Sequence, residues 1–145
     1  MIALLQRVSS ASVSVDDKQV GAIARGLLVL VAVHRDDKPD DVTRLAERIL
    51  TYRVFPDAAD RMNHSLLDEN LGLLLVPQFT LAADTKKGTR ASFTRAAAPE
   101  VGEDYFGRLV ELCKARLETV ETGRFGANMK VSLVNDGPVT FWLET

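Results

Sequence analysis

Gly26-Leu27-Leu28-Val29-Leu30-Val31-Ala32-Val33 is the longest apolar run in the chain. No polar residue interrupts it, so neither face of a strand made from it can meet water. Such a run reads as a central strand of a sheet covered on both sides. It is far shorter than the ~20 residues a membrane-crossing helix needs.

Outward from this strand the pattern changes. Upstream, Val8, Ala11, Val13 and Val15 are separated by Ser9, Ser10, Ser12 and Ser14, the period of two of a half-buried strand over 2–15. Asp16-Asp17-Lys18 predicts a turn and Gln19 to Ala24 its partner strand, making a hairpin. Downstream, His34 to Asp40 is a polar loop, with Asp40 as the expected helix cap. Val42, Leu45, Ala46, Ile49 and Leu50 then recur at helical spacing, so an amphipathic helix is expected to end near Arg53.

Phe55 to Asn63 reads as a loop and Leu71 to Val76 as a second apolar strand, continued past Pro77 by Gln78 to Ala83. Lys86 to Ala98 lacks periodicity and reads as a long loop. Glu103 to Val120 predicts the second helix, with Phe106, Leu109, Val110, Cys113 and Leu117 on its apolar face. Strands are expected over Met129–Val134 and Val139–Leu143, separated by Asn135-Asp136-Gly137-Pro138. The order predicts one mixed α/β domain, residues 1–145, with a large, partly barrel-like sheet and two main helices.

Composition restricts the function classes. The chain is 46% hydrophobic and 26% charged, as expected of a globular protein. Its formal charge of −2 supplies no global attraction for nucleic acid, so an RNA contact needs a local basic patch or shape. The single cysteine, Cys113, excludes an internal disulfide scaffold, and its place on an apolar helix face predicts a buried, inert thiol. Arg7 interrupts the N-terminal apolar residues too early for a signal peptide, so a cytoplasmic location without membrane contact is expected. His34 and His64 lie on separate loops without cysteine partners and read as ordinary polar residues, so no metal is expected.

Two segments stand out as possible chemistry. Gly137-Pro138 reads either as a turn joining two strands or as a bulge whose carbonyls are left free to bind something else. Gln78 and Thr80 follow an apolar strand and read either as its solvent face, with Phe79 inward, or as a site at a strand end.

Here the chain resembles the bacterial D-aminoacyl-tRNA deacylases. The resemblance includes Met1-Ile2-Ala3-Leu4-Leu5-Gln6-Arg7-Val8, Val20-Gly21-Ala22-Ile23, Gly26 to Leu30, Met62-Asn63-His64-Ser65-Leu66 and Gln78-Phe79-Thr80-Leu81. It continues through Ser92-Phe93, Ala96-Ala97-Ala98-Pro99, Val120 to Met129 and Asn135 to Thr140. The motifs run in order from end to end.

The resemblance implies a homodimer that hydrolyses D-aminoacyl-tRNA, and also glycyl-tRNA, without cofactor, metal or DNA. It implies that Gln78, Phe79 and Thr80 line the ester. Gly137 and Pro138 of the other subunit, joined by a cis bond, would insert as a chirality filter. Met129 would lie near the terminal adenosine, and Arg7 would hold the inserted loop. For the chemistry, Thr80 as nucleophile would need an adjacent base, and only Asp84 and Lys86 are near in sequence. The favoured expectation is that the Phe79 and Thr80 N–H groups stabilise the oxyanion while the ribose 2′-hydroxyl of the tRNA activates water.

Position 77 departs from the family, which usually has Ser in a Ser-Gln-Phe-Thr motif. A related animal branch has Pro-Gln-Ala-Thr and removes L-alanine from the wrong tRNA. Pro77 points to that branch, whereas Phe79 and Asn135-Asp136-Gly137-Pro138 point to the D-specific type, the reading preferred. The rivals are a non-catalytic RNA- or amino-acid-binding module and a structural dimer. Lys86, Lys87, Arg90 and Arg95 form a basic loop cluster, read either as a tRNA phosphate contact or as a solvated loop. Trp142 is expected to pack.

Overall fold

Strand β1 (Ile2–Val15) is the hub of the sheet in the computed structural model, which describes residues 1–145. The long strand β8 (Lys130–Glu144) lies antiparallel along one edge of β1, from Ile2 opposite Glu144 to Ser14 opposite Lys130. The other edge is divided. β3 (Gly26–Ala32) takes its first half and β2 (Lys18–Ile23) its second. Val8, Ala11, Val13 and Val15 are buried while Ser9 and Ser10 are exposed, so the period of two does orient this strand.

β3 pairs in parallel with β6 (Gly72–Pro77), and β7 (Val120–Thr122) pairs in parallel with β6. Parallel neighbours need a crossover, and between β3 and β6 it contains α1 (Pro39–Thr51), the β4–β5 ribbon (Phe55–Pro56 with Met62–His64) and the short α2 (Leu66–Glu69). α3 (Pro99–Lys114) precedes β7. The sheet then curls. A Cβ on Gly21 of β2 would lie 2.8 Å from the Thr122 carbonyl oxygen of β7, so the two ends of the path β2-β1-β3-β6-β7 nearly meet.

The curl creates two apolar regions. Leu27, Val29, Leu73 and Leu75 pack outward beneath the helical residues Leu45, Ile49, Leu109 and Cys113. Leu28, Leu74 and Val76 point the other way, joined by Val8, Val13 and Ile23. Both faces of β3 and β6 are therefore dry, as their uninterrupted apolar sequences require. The ends of the chain close over this body. The Met1 ammonium contacts Asp37 Oδ1 at 2.6 Å and Thr145 Oγ1 at 3.0 Å, while Asp37 Oδ2 accepts the His34 N–H at 2.6 Å.

The mixed α/β architecture and barrel-like sheet agree with expectation, but several boundaries differ. Pro39, not a residue after Asp40, opens α1, because proline pre-sets the first helical φ; Asp41 instead accepts the Lys38 N–H at 2.8 Å. Pro99 starts α3 four residues before Glu103 in the same way, and the helix stops at Lys114, freeing Val120–Thr122 to become β7. Residues 55–63 hold a short ribbon rather than a plain loop. His64 sits on it with Nδ1 against the Glu69 carboxylate, so it is a structural pair and not an idle loop residue. Trp142 is half exposed, with its indole N–H directed at Glu144, so the expectation of packing is not met. No helix is long and apolar enough to cross a membrane.

Burial pushes the Cys113 thiol up to about 12, which keeps it protonated near neutral pH. Iodoacetamide should leave Cys113 unmodified in the native protein and label it in denaturant; mass spectrometry reads the difference. Gly26 is a second test. Its Cβ would stand 1.9 Å from the Gly72 carbonyl oxygen, whereas a Cβ on Gly107 would meet nothing within 4 Å. Gly26→Ala should therefore cost roughly 3 kcal/mol or more in thermal unfolding. Gly107→Ala, within α3, should stabilise by about 0.5–1 kcal/mol.

Candidate active site

The parallel ladder of β3 and β6 ends with the Gln78 N–H donating to the Val31 carbonyl at 2.7 Å. By ladder alternation, the missing N–H of Pro77 faces β7, whose pairing with β6 has already ended at Leu75. Proline therefore costs the sheet no bond here. The chain then enters a 3-10 turn, Phe79–Ala82, rather than the continued strand expected for Gln78 to Ala83. Leu81 N–H donates to Gln78 O and Ala83 N–H to Thr80 O, each at 3.2 Å. The N–H groups of Phe79 and Thr80 thus lie at the open start of the turn, without a partner inside it.

The side chains follow from that turn. Gln78 is half buried and its Nε2 donates to Thr80 Oγ1. Phe79 is 59% exposed, so it does not point inward as a strand alternation would place it. Its ring rests on Phe93, with centroids 5.1 Å apart.

Beside the turn is a cavity of about 450 Å³, a size suited to a small-molecule group. Pro77, Gln78 and Phe79 form one wall. Ala97, Ala98 and Pro99 form another, held by the Ala97 N–H to Val33 carbonyl bond at 2.9 Å. Phe125 to Met129 close the far side. Two glycines permit this packing. A Cβ on Gly102 would lie 3.2 Å from Phe125 Cζ, and one on Gly123 would lie 2.7 Å from Met129 Sδ. Met129 Sδ also accepts the Arg124 N–H at 3.3 Å. The lining is mostly apolar, Gln78 and Asn128 being its polar side chains, and no titratable side chain belongs to it. No group of three or more His, Cys, Asp or Glu is gathered to hold a metal ion.

Gly137 and Pro138 lie elsewhere. They sit in β8 where its register against β1 shifts, and their peptide bond is cis. The strand is continuous through them, not broken into the two runs expected. The Asn135 side chain staples the bulge, accepting the Val139 N–H at 2.9 Å and donating to Thr140 Oγ1 at 2.8 Å. Arg7 holds it from beneath: Nε donates to the Asp136 carbonyl at 2.9 Å and a terminal nitrogen to the Val54 carbonyl at 2.8 Å. The result is a firmly tethered but exposed Gly137-Pro138 corner.

One chain therefore brings together Gln78, Phe79 and Met129 at the cavity, with Thr80 at the rim through its bond to Gln78. It gathers Arg7, Gly137 and Pro138 at a second place, and none of these lines the cavity. Sequence reasoning had put Phe106 only on a helix's apolar face and gave Asn128 no role. Both border the cavity, and neither carries a local signal that would have said so.

A family model described as D-Tyr-tRNA(Tyr) deacylase matches residues 4–144. A D-aminoacyl-tRNA deacylase of Alkalilimnicola ehrlichii is 61% identical over 99% of this chain and 96% of its own. That of Thioalkalivibrio sulfidiphilus is 62% identical over 99% and 97%. A solved structure, "c-Myc DNA Unwinding Element Binding Protein", is 36% identical with a TM-score of 0.95, covering 100% of this chain and 99% of that one. A "probable eukaryotic D-amino acid tRNA deacylase", 19% identical with a TM-score of 0.87 over 98% and 97%, shares the fold. With a family match over nearly its whole length and relatives this similar, the chain belongs to the D-aminoacyl-tRNA deacylases, hydrolases that act on aminoacyl-tRNA.

Proposed function

We propose that the 450 Å³ cavity receives the ester end of D-aminoacyl-tRNA, and that the Gly137-Pro138 corner of a second copy completes the site in a homodimer. The separation of the two groups on one chain carries this reading. The corner is stapled by Asn135 and Arg7, faces solvent and lies outside its own chain's cavity. A partner's corner set over Gln78, Phe79 and Thr80 supplies main-chain carbonyls at fixed positions. These accept hydrogen bonds from the substrate's α-ammonium.

Chirality then follows from geometry. With the ammonium and the ester carbonyl both fixed, the substituent on Cα has one direction left. A D side chain leaves the site, and glycine has none, so glycyl-tRNA is accepted as well. An L side chain meets the wall, and a packed wall does not yield by small shifts. Met129 lies against the terminal adenosine in this reading, and Arg7 keeps the corner in position.

Hydrolysis adds water to the ester carbonyl carbon, breaks its bond to the ribose oxygen and returns a proton to that oxygen. The cavity has no acid or base of its own. The proton traffic is therefore assigned to the ribose 2′-hydroxyl, which orients and activates the water. The Phe79 and Thr80 N–H groups, open at the start of the turn, receive the developing oxyanion. Because the backbone does this, a serine hydroxyl at position 77 is dispensable, which supports activity with Pro77. The setting is the cytoplasm, where the substrate is.

D-Tyr-tRNA should be hydrolysed rapidly and L-Tyr-tRNA spared, with EDTA making no difference. Loss of neither ester would redirect the assay to L-alanine on a mismatched tRNA. Thr80→Ala should keep substantial activity, and a 2′-deoxy terminal adenosine should abolish it; the opposite pair of results would make Thr80 the nucleophile.

The shared site has its own test. Ala98→Trp, filling the cavity, and Gly137→Val, whose Cβ would lie 2.7 Å from Val139 Cγ2, should each be inactive alone. Refolded together in equal amounts, they should recover about a quarter of the wild-type rate, because half the dimers hold one intact site. A site made within one chain would recover nothing.

A further inference from the structure

The segment from Asp84 to Ala98 carries four cations, Lys86, Lys87, Arg90 and Arg95, against the single carboxylate of Asp84. This reverses the sign of the chain as a whole, which is −2. None of the four cations is in an ion pair, so their charge is not neutralised by a neighbouring carboxylate. Unneutralised cations gathered on a net-acidic protein are a local electrostatic feature that stability does not require.

The segment is not a slack loop. Asp84 and Ser92 exchange both backbone bonds, N–H to carbonyl, at 2.8 and 3.1 Å. Between them, residues 85–91 form an exposed arm that turns at Gly88, whose φ is +68°. The Lys86 N–H donates to Asp84 Oδ1 at 3.0 Å, which sets the arm's first cation on a fixed base. At its root the arm is held twice, once by the site turn and once by the loop after β3. Phe93 packs at a tilt against Phe79, and Arg35 binds the root through its N–H to the Arg95 carbonyl at 3.0 Å and its guanidinium to the Thr94 carbonyl at 3.3 Å. Both phenylalanines are exposed, Phe79 by 59% and Phe93 by 43%, so an apolar ring surface lies open from the root of the arm to the cavity wall that Phe79 forms.

We propose that the arm Asp84–Ser92 and the Phe79–Phe93 pair form the docking platform for the unpaired 3′ end of the tRNA, with Lys86, Lys87, Arg90 and Arg95 on its phosphates and the exposed rings against its bases. This combination of a cationic track and aromatic faces is the chemistry that holds single-stranded nucleic acid without reading its sequence. It suits an enzyme whose substrate differs in the amino acid and shares the same RNA end. It rests on the reading of the cavity as the ester site: a strand laid along the arm and over Phe79 enters that cavity last-nucleotide first.

The test measures binding and turnover separately. Binding uses an uncharged acceptor-stem RNA hairpin with an unpaired 3′ tail, and the same hairpin with a blunt end, titrated over a range of salt. Wild type should bind the tailed hairpin more tightly. The triple variant Lys86→Glu, Lys87→Glu, Arg90→Glu should weaken the tailed hairpin about tenfold or more and lower its salt slope by about 2, near 0.7 for each phosphate that is no longer neutralised. Phe93→Ala should weaken the tailed hairpin and erase much of its advantage over the blunt one. Turnover compares D-aminoacyl-tRNA with a D-aminoacyl-adenosine ester that has no phosphate. The triple variant should lose about tenfold in kcat/KM preference for the tRNA ester over the nucleoside ester.

An unchanged salt slope in the triple variant overturns the proposal, as does equal weakening of tailed and blunt hairpins in Phe93→Ala. Because the binding experiment needs no hydrolysis, those results leave the ester-site reading standing. Failure of the wild type to hydrolyse either ester overturns that reading instead, while a tail-dependent, arm-dependent affinity would still support the platform.

Discussion

The parallel pairing of β3 with β6 sets the position of the candidate site. Gly26 lets the two backbones start side by side, because a Cβ there would stand 1.9 Å from the Gly72 carbonyl oxygen. Dry packing on both faces then carries the pair to its last rung, Gln78 to Val31. Where the ladder stops, the chain must turn, and the N–H groups of Phe79 and Thr80 emerge at that point. Donors presented this way need no flexible side chain to place them. Their position is that of β3 and β6, strands buried along almost their whole length.

A backbone-based site also accounts for the chemistry that is missing. The cavity is apolar and holds no titratable group. The one thiol is buried and protonated. The histidine of the ribbon is bound to Glu69. What the protein offers is shape, a fixed pair of donors and, on β8, a tethered and exposed Gly137-Pro138 corner. A substrate that brings its own hydroxyl beside the scissile bond fits such a site, because rate then depends on positioning and electrostatic preorganisation.

Much of this was legible in the residues. The uninterrupted run from Gly26 to Val33 predicted a strand covered on both faces, and the serines between Val8 and Val15 predicted its half-exposed neighbour. Both patterns are set by burial alone. Boundaries were read less well where local chemistry outweighed hydrophobic spacing. Pro39 and Pro99 started helices earlier than the apolar residues suggested, and the turn at Phe79 ended a strand that composition would have continued. β7 was hidden because three residues, Val120-Glu121-Thr122, are too few to show a period. The roles of Gly137 and Pro138 came from resemblance, since a glycine-proline step alone is equally an ordinary turn.

By itself the sequence determined the long elements, the class of fold and the family, because periodicity and ordered motifs are local properties that survive in a linear string. The tertiary structure alone decided the rest. It gathered Gln78, Phe79, Phe106, Phe125 and Met129 around one cavity although they are spread over some fifty residues, and it placed Arg7 beneath Asp136 from the other end of the chain. It also held the Gly137-Pro138 corner away from that cavity. Such proximities depend on the curl of the sheet, the sum of many small twists and close glycine contacts, and no single stretch of residues encodes that sum.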